Sequence, residues 1–382
     1  MNFIKLVSFF MSISFFNCAE FNDEYYKLIE EHALETNELM ANITSHRIAL
    51  KNEFKCPRPT SVHTLRPNDI EIIGALGDSL TAANGAKAFT YIGLLEEYRG
   101  FSWSIGGQIP DLNKSITLPK KDILRKFNDK IYGASIGSGN YKSKCAVFNF
   151  AQPGKTSWEL LSQANEMIDR MNSTKTIDFL NSWKLITIFI GGNDLCKFCT
   201  NKTKYTSDNY IKNIRTTLDY LKENLPRALI NLVSPLDVSS LEKLSAVTCR
   251  IWQMALCSCA LLKSERGALL NLTKEVQTKT EVLINSGIYD TSDDFTVVIQ
   301  PFMKNVSPAK NEGSIDYSYF APDCLHFSVK GHEASAIELW NSMLTPVGLK
   351  PEKWINIEHN LLCPTKDSPY IFTNKNSKKK EM

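Results

Sequence analysis

Between residues 70 and 300, five short apolar runs alternate with longer amphipathic stretches. The runs are rich in Val, Ile, Leu and Phe and alternate little with polar residues, as expected of strands buried on both faces. They span residues 70–76, 146–150, 185–190, 229–233 and 296–299. This order is typical of βα units that build a parallel sheet, so the sequence predicts an α/β fold.

Apolar residues recur at helical spacing between these runs and after the last of them. The predicted helices span residues 157–171, 207–224, 245–284 with a break near Gly267, and 328–344. Right-handed crossovers should stack them on both faces of the sheet. Ligands of open α/β sheets bind beyond the carboxyl ends of the strands, so residues that directly follow a run are candidates for a functional site.

The composition favours one large domain with appended ends. Of the 382 residues, 43% are hydrophobic and 22% are charged, which is ample material for a single core. The formal net charge is +3 and the basic residues are dispersed, and we expect no nucleic-acid partner. The one basic run, Lys378-Lys379-Lys380, lies in a polar tail and is interpreted as a solvated end.

The N-terminus has the pattern of a secretory signal. Lys5 precedes an apolar stretch at residues 6–16, and Asn17-Cys18-Ala19 follows. This apolar core of about 11 residues has signal-peptide length and falls short of the ~20 residues that span a bilayer. We expect cleavage near Ala19 and a secreted, extracellular product, because no later segment is apolar enough to cross a membrane.

The remaining chain divides into three predicted parts. Residues 20–53 carry apolar positions at helical spacing and predict an N-terminal helical extension, with a role as lid, propeptide or packing left open. Residues 54–350 form the predicted main domain. Residues 351–382 form a C-terminal extension with the basic tail, which we expect to fray from about Asp367.

Cysteine usage points to an oxidising compartment. Ten cysteines are present, and loss of Cys18 with the signal leaves an odd number, so at least one stays unpaired or joins another chain. Cys196-x-x-Cys199 predicts structural disulfides rather than a zinc site or a redox dithiol, because no second ligand pair lies at finger spacing. The pairing itself stays open. Sequons compatible with glycosylation lie at Asn42, Asn113, Asn172, Asn201, Asn271 and Asn305.

Three of the apolar runs are followed by groups that suit ester chemistry. Ser79, within Gly77-Asp78-Ser79-Leu80, can lie at a helix N-terminus with its hydroxyl exposed, although this tetrapeptide alone would be an ordinary capped turn. Gly154 follows the second run and Asn193 the third. The Ser79 N–H, the Gly154 N–H and the Asn193 amide would form an oxyanion hole for a tetrahedral intermediate.

Asp323-x-x-His326 supplies the remaining chemistry from a loop before the last helix. His326 would act as general base toward Ser79, while Asp323 orients the imidazole and stabilises its charged form. His332 lies six residues further on, inside the predicted helix, and is interpreted as structural because it lacks an adjacent carboxylate.

With these residues in view, the chain resembles the GDSL (SGNH) hydrolases, and more closely their phospholipase B branch. The similarity extends over about residues 54–350, which is far more specific than an isolated Gly-Asp-Ser-Leu. It is carried by the sequence around Ser79, Gly154, Asn193 and Asp323-x-x-His326. The stretches at residues 59–70, 75–86, 103–107 and 320–328 extend it.

The resemblance implies a three-layer α/β/α fold with a flavodoxin-like, five-stranded parallel sheet. It implies a lipase, free of metal and cofactor, that releases fatty acids from phospholipids or lysophospholipids at a lipid–water interface. Ser79 would be the nucleophile, Gly154 and Asn193 oxyanion donors, and Asp323 and His326 the other catalytic residues. Many relatives carry tandem repeats and a membrane anchor, whereas this chain has one unit and a polar tail.

Two alternatives stay open at this point. A carboxylesterase for retinyl esters, acylglycerols or acetylated sugars would have the same fold and catalytic groups. A secreted binding or antigenic decoy would not need all of Ser79, Asn193, Asp323 and His326, so their joint presence favours an enzyme.

Overall fold

The computed structural model describes residues 58–107, 123–354 and 361–378. Their main sheet has four parallel strands in the order β1-β2-β3-β4, and every residue of these strands is buried. The strands are β1 Ile72–Gly77, β2 Lys184–Phe189, β3 Ala228–Val233 and β4 Phe295–Gln300. A small antiparallel pair is formed by β5 Lys310–Asn311 and β6 Ser314–Ile315. Four of the five predicted strands are therefore confirmed within about two residues.

The fifth predicted strand, residues 146–150, forms a single bridge instead of a ladder. Asn149 bridges Ala75 on the outer edge of β1, with the Phe150 N–H donating to the Ala75 carbonyl at 2.9 Å. The stretch cannot extend further back because a 3-10 turn occupies Lys144–Ala146 and Val147 has a φ of 48°. The predicted five-stranded sheet thus has four strands in the described residues, while the chain still follows the flavodoxin-like order.

Helices cover the sheet on two faces. The helices are α1 Ser79–Ala82, α2 Leu124–Phe127, α3 Leu160–Ser173, α4 Gly192–Lys197, α5 Ser207–Asn224, α6 Val247–Leu256, α7 Ser258–Leu261, α8 Arg266–Asn285, α9 Val329–Met343 and α10 Asn374–Ser377. A Cβ on Gly74 would meet Met167 of α3, whereas Asn231 donates to the Met343 sulfur of α9. Residues 74 and 75 point to opposite faces of the sheet. Asn231 is in register with Ala75 through Thr187 of β2, so it points to the same face as Ala75. The helices α3 and α9 therefore pack on opposite faces of the sheet.

Two expectations about the helical regions and the tail were wrong. The predicted break near Gly267 lies earlier, at Cys257 and at residues 262–265, and Gly267 is inside the first turn of α8. The predicted fraying from Asp367 does not occur at Ile371, which is fully buried and donates its N–H to the Leu65 carbonyl at 2.8 Å. An apolar residue within a polar tail was the signal that this segment packs on the domain.

Three disulfides brace the chain after β2. Cys196 pairs with Cys257 and Cys199 with Cys259, so the predicted structural role of Cys196-x-x-Cys199 is confirmed, with partners in a second, distant cysteine pair. The third joins Cys249 of α6 to Cys324, the residue after Asp323. Among the described cysteines, Cys145 and Cys363 are unpaired.

Several predictions concern residues outside those described. The signal at residues 1–19, the helical extension at 20–53, and Cys56 all fall there. In the described portion, none of the helices combines the length and apolar character that a bilayer crossing requires.

Gly77→Ala is expected to lower the thermal midpoint strongly. Gly77 has a φ of 154°, and a Cβ there would lie 2.3 Å from the Phe189 carbonyl oxygen of the neighbouring strand. Both backbones are held in the sheet and cannot move apart, so the substitution should lower the free energy of unfolding by about 3 kcal/mol or more. Gly154→Ala is the matched control, because its φ is also positive but no atom lies within 4 Å of the new Cβ. It should cost about 1–2 kcal/mol, and equal losses in calorimetry would contradict the clash.

Candidate active site

Ser79 lies where β1 meets α1, at the carboxyl edge of the sheet. Gly77 ends the strand, and Asp78 caps the helix by accepting the Leu80 N–H at 3.0 Å. Aspartate is among the best N-cap residues, which explains why the chain turns into a helix at this point. The turn directs the Ser79 side chain toward a loop that is distant in sequence, where its hydroxyl meets His326, 247 residues later.

Asp323, His326 and Ser79 form a continuous hydrogen-bonded series. The Ser79 Oγ lies 2.8 Å from His326 Nε2, and His326 Nδ1 lies 2.5 Å from the second carboxylate oxygen of Asp323. The other oxygen of Asp323 accepts the N–H groups of Leu325 and His326, both at 3.0 Å. The three-residue spacing therefore lets Asp323 bind the backbone N–H groups of its own loop and the imidazole of His326 at the same time.

The electrostatics of this series favour an ionised carboxylate beside a basic imidazole. Burial opposes the charge on Asp323, but the charge of His326 and the hydrogen bonds from His326 and Leu325 lower the pKa of Asp323 below its ordinary value. Burial also opposes a charged His326, but Asp323, with a smaller effect of Asp78, raises the pKa of His326. Asp78 itself is buried, and this raises its pKa to about 7.

Gly154 and Asn193 lie where the loop after residue 150 meets α4. The Asn193 side-chain amide donates one hydrogen to the Lys155 carbonyl at 2.9 Å, which leaves its second hydrogen for a ligand. The Gly154 carbonyl accepts from the Lys197 ammonium at 2.8 Å. Among the described residues, neither the Ser79 N–H nor the Gly154 N–H has an acceptor, so both can bind an oxyanion.

Buried polar residues that the sequence did not single out hold this junction. Asp194 accepts the Ser157 N–H at 2.9 Å and the Ser157 hydroxyl at 2.7 Å, tying α4 to the loop that carries Gly154. Gln163 of α3 pairs with both the N–H and the carbonyl of Gly77, each at 2.9 Å. Gln163 lies on the apolar face of its helix, and this position in the sequence could have indicated a buried polar contact.

Arg99 is a further residue that sequence reasoning missed. Its guanidinium is fully buried and donates to the carbonyls of Gly139, Asn149 and Ala151 while pairing with Glu97. Arg99 therefore shapes the chain that leads to Gly154. Nothing in its sequence context indicated this role, because the three acceptors are backbone atoms 40 to 52 residues away.

His332 has a structural environment, and the described residues offer no metal site. His332 is buried in α9, and neither ring nitrogen has a hydrogen-bond partner among the described residues. This burial lowers its pKa to about 3. A neutral imidazole edge-on to Phe327 fits the structural interpretation. Across residues 58–107, 123–354 and 361–378, no group of three or more His, Cys, Asp or Glu side chains is placed to hold a metal ion.

The pH dependence of ester hydrolysis should follow His326. A general base must be neutral, so kcat/KM should fall as pH drops through the raised His326 pKa, with a midpoint above the ordinary value of 6.5. Asp78→Asn removes a negative charge that raises this pKa, while an asparagine oxygen can still cap Leu80, so the midpoint should move to lower pH.

The control for this shift is Asp316→Asn, which neutralises a carboxylate paired with Lys330. It should leave the midpoint of kcat/KM in place. If Asp78→Asn and Asp316→Asn give the same profile as the unmodified protein, Asp78 does not influence the base.

Comparisons with known proteins find similar sequences. Residues 73–339 match the model of the GDSL-like lipase/acylhydrolase family. Membrane-associated phospholipase B1 is 45% identical over 354 residues in Mus musculus, 43% over 344 in Rattus norvegicus and 44% over 345 in Homo sapiens. These matches cover 88%, 85% and 85% of this chain, and 24%, 24% and 23% of the respective relatives.

The chain therefore spans about a quarter of the length of the curated relatives that it matches. The family match, by contrast, covers well over half of this chain. Together with the similarity to phospholipase B1, it confirms the resemblance seen in the sequence. The chain belongs to the GDSL-like lipase/acylhydrolase family of serine ester hydrolases.

Proposed function

We propose that this protein is a secreted phospholipase B or lysophospholipase that releases fatty acids from glycerophospholipids through a serine acyl-enzyme. The observation that carries the proposal is the contact series from Ser79 through His326 to Asp323 in a chain similar to phospholipase B1. No metal or cofactor enters the mechanism. The acting unit would be residues 54–350, preceded by a signal at 1–19 and an extension at 20–53, and followed by 351–382.

In the first half-reaction, the Ser79 oxygen attacks the ester carbonyl while His326 Nε2 takes the hydroxyl proton. The 2.8 Å separation of these atoms is suited to this transfer. The resulting oxyanion would accept hydrogen bonds from the Ser79 N–H, the Gly154 N–H and the Asn193 amide. His326 then returns the proton to the departing glycerol oxygen, and the acyl group stays on Ser79.

In the second half-reaction, His326 takes a proton from water, and the water oxygen attacks the acyl-enzyme. The same three donors hold the oxyanion. As the intermediate collapses, His326 returns the proton to the Ser79 oxygen, which restores the hydroxyl and releases the fatty acid. Asp323 keeps Nδ1 of His326 protonated throughout, so that Nε2 faces the serine as the base.

Cations beside the proposed oxyanion donors support a phosphate-bearing substrate. Lys155 directly follows Gly154, and the Lys197 ammonium contacts the Gly154 carbonyl. Ammonium groups attract phosphate, and this would favour anionic or zwitterionic head groups over neutral acylglycerols.

Surface chemistry and disulfides support a secreted protein. The four sequons that fall within the described residues, at Asn172, Asn201, Asn271 and Asn305, are all exposed and thus open to glycosylation. The three disulfides fit an oxidising compartment. The matched relatives are named as membrane-associated, so attachment to a surface through a further segment is compatible with this proposal.

The test is fatty-acid release from phosphatidylcholine and from lysophosphatidylcholine with EDTA present, by the secreted protein and its Ser79→Ala variant. We expect release from both lipids, and its loss in the variant. Hydrolysis of a short water-soluble ester without release from either lipid would replace the proposal by another carboxylesterase. Absence of all ester turnover in a folded protein would favour a binding decoy.

A further inference from the structure

Exposed apolar side chains lie on both sides of the loop that carries Asp323 and His326. Ile92 and Leu95, in the segment after α1, are 68% and 81% exposed, and Val247, at the start of α6, is 76% exposed. Tyr91 and Trp252 connect them, with ring centroids 5.2 Å apart. We call these five side chains the apolar rim.

The apolar rim is attached directly to the proposed catalytic loop. Leu94 packs with Ala321, two residues before Asp323, in a cluster that also contacts Tyr91 and Trp252. On the α6 side, the Cys249–Cys324 disulfide joins the helix to the residue next to Asp323. The rim therefore has a fixed position beside the loop that carries Asp323 and His326.

The charged groups around the rim are mixed, with an excess of cations that form no ion pair. Residues 86–97 and 242–266 contain the cations Lys87, Lys243, Arg250 and Lys263, none of which forms an ion pair among the described residues. Three acids of the same segments, Glu97, Glu242 and Glu265, are paired with Arg99, Arg266 and Lys202. The fourth acid, Glu96, is exposed next to Leu95. The chain as a whole has nearly equal numbers, 44 basic and 41 acidic residues. Exposed apolar groups beside an excess of cations suit a layer of acyl chains beneath phosphate head groups.

We propose that the apolar rim is the surface by which this protein docks on a phospholipid–water interface. This inference rests on the proposed function, since only an aggregated substrate would require it. Ile92, Leu95 and Val247 enter the acyl region, and Lys87 and Arg250 lie at the level of the phosphates. Docking then presents the entrance of the Ser79 site to single lipids of the layer.

The test separates docking from catalysis by using the full secreted protein with Ser79→Ala. Its binding to phosphatidylcholine vesicles, with and without phosphatidylserine, is measured by cosedimentation. The rim variant carries Ile92→Gln, Leu95→Gln and Val247→Thr. The matched control carries Leu180→Gln, Leu349→Gln and Val282→Thr, which alter side chains 66% to 75% exposed outside the rim.

The rim variant should bind vesicles roughly tenfold to hundredfold more weakly, because three apolar side chains no longer leave water. The control should stay within about twofold of the parent, since exposed substitutions perturb folding little. Phosphatidylserine should strengthen binding of the parent. With Ser79 intact, the rim variant should hydrolyse a monomeric water-soluble ester as fast as the unmodified protein.

Equal vesicle binding by the rim variant and the parent would overturn the proposal. A concentration-dependent dimer in analytical ultracentrifugation, lost in the rim variant, would also overturn it by assigning the rim to a second copy of this chain. Vesicle binding that depends on the rim, without phospholipid hydrolysis by the intact protein, would leave the docking surface standing and remove the proposed substrate.

Discussion

Ser79→Ala is expected to lower kcat for phosphatidylcholine by about 10⁴- to 10⁶-fold, because the variant loses the attacking oxygen. His326→Ala should cost a similar factor, since Ser79 is a weak nucleophile without a base at 2.8 Å. The two residues act as a unit, so the double variant should be little slower than either single variant. Initial rates of fatty-acid release at saturating lipid give all three values.

Ser79→Ala removes only a hydroxyl, and the buried site keeps its shape. Near-ultraviolet circular dichroism should therefore match that of the unmodified protein. Multiplicative losses in the double variant would contradict a shared proton transfer, and residual phospholipid turnover by Ser79→Ala near the original rate would place the nucleophile elsewhere.

Asn193→Ala should lower kcat by about 10²- to 10³-fold with little change in KM, because the donor acts on the charge that develops in the transition state. The same amide also donates to the Lys155 carbonyl, so the substitution loosens the loop that carries Gly154. Steady-state kinetics on a phospholipid and on a short ester should show the same loss, since the oxyanion is common to both.

Asn213→Ala separates these two roles. The Asn213 amide donates to the Ser157 hydroxyl at 3.0 Å and supports the same loop from α5 without adding a donor to the site. Its loss should cost less than about tenfold in kcat. If Asn193→Ala is no slower than Asn213→Ala, Asn193 supports the loop and does not bind the oxyanion.

The sheet was predictable because its strands are buried on both faces. A run such as residues 185–190 has no polar alternation, and only a central parallel strand suits such a segment. Residues 146–150 are also apolar apart from Asn149 but form one bridge, because the turn at Lys144–Ala146 and the φ of 48° at Val147 interrupt the extended backbone.

The break in the long helical region was placed wrongly for a related reason. Glycine is the usual signal for a break, but Gly267 lies in open space in the first turn of α8 and imposes nothing. Cys257 and Cys259 instead bind to Cys196 and Cys199, and these covalent partners divide the region into α6, α7 and α8. Spacing along one segment carries no record of a partner 60 residues away.

The sequence by itself determined the kinds of chemical group present, the strands that they follow and the family to which the chain belongs. A serine after one strand, an asparagine after another and an Asp-x-x-His pair indicate ester chemistry because few other reactions need that set. Only the tertiary structure decided that His326 reaches Ser79 across 247 residues, and that Arg99, Gln163 and Asp194 hold the surrounding loops. The physical reason is that buried polar groups must find hydrogen-bond partners, and packing rather than local sequence selects those partners.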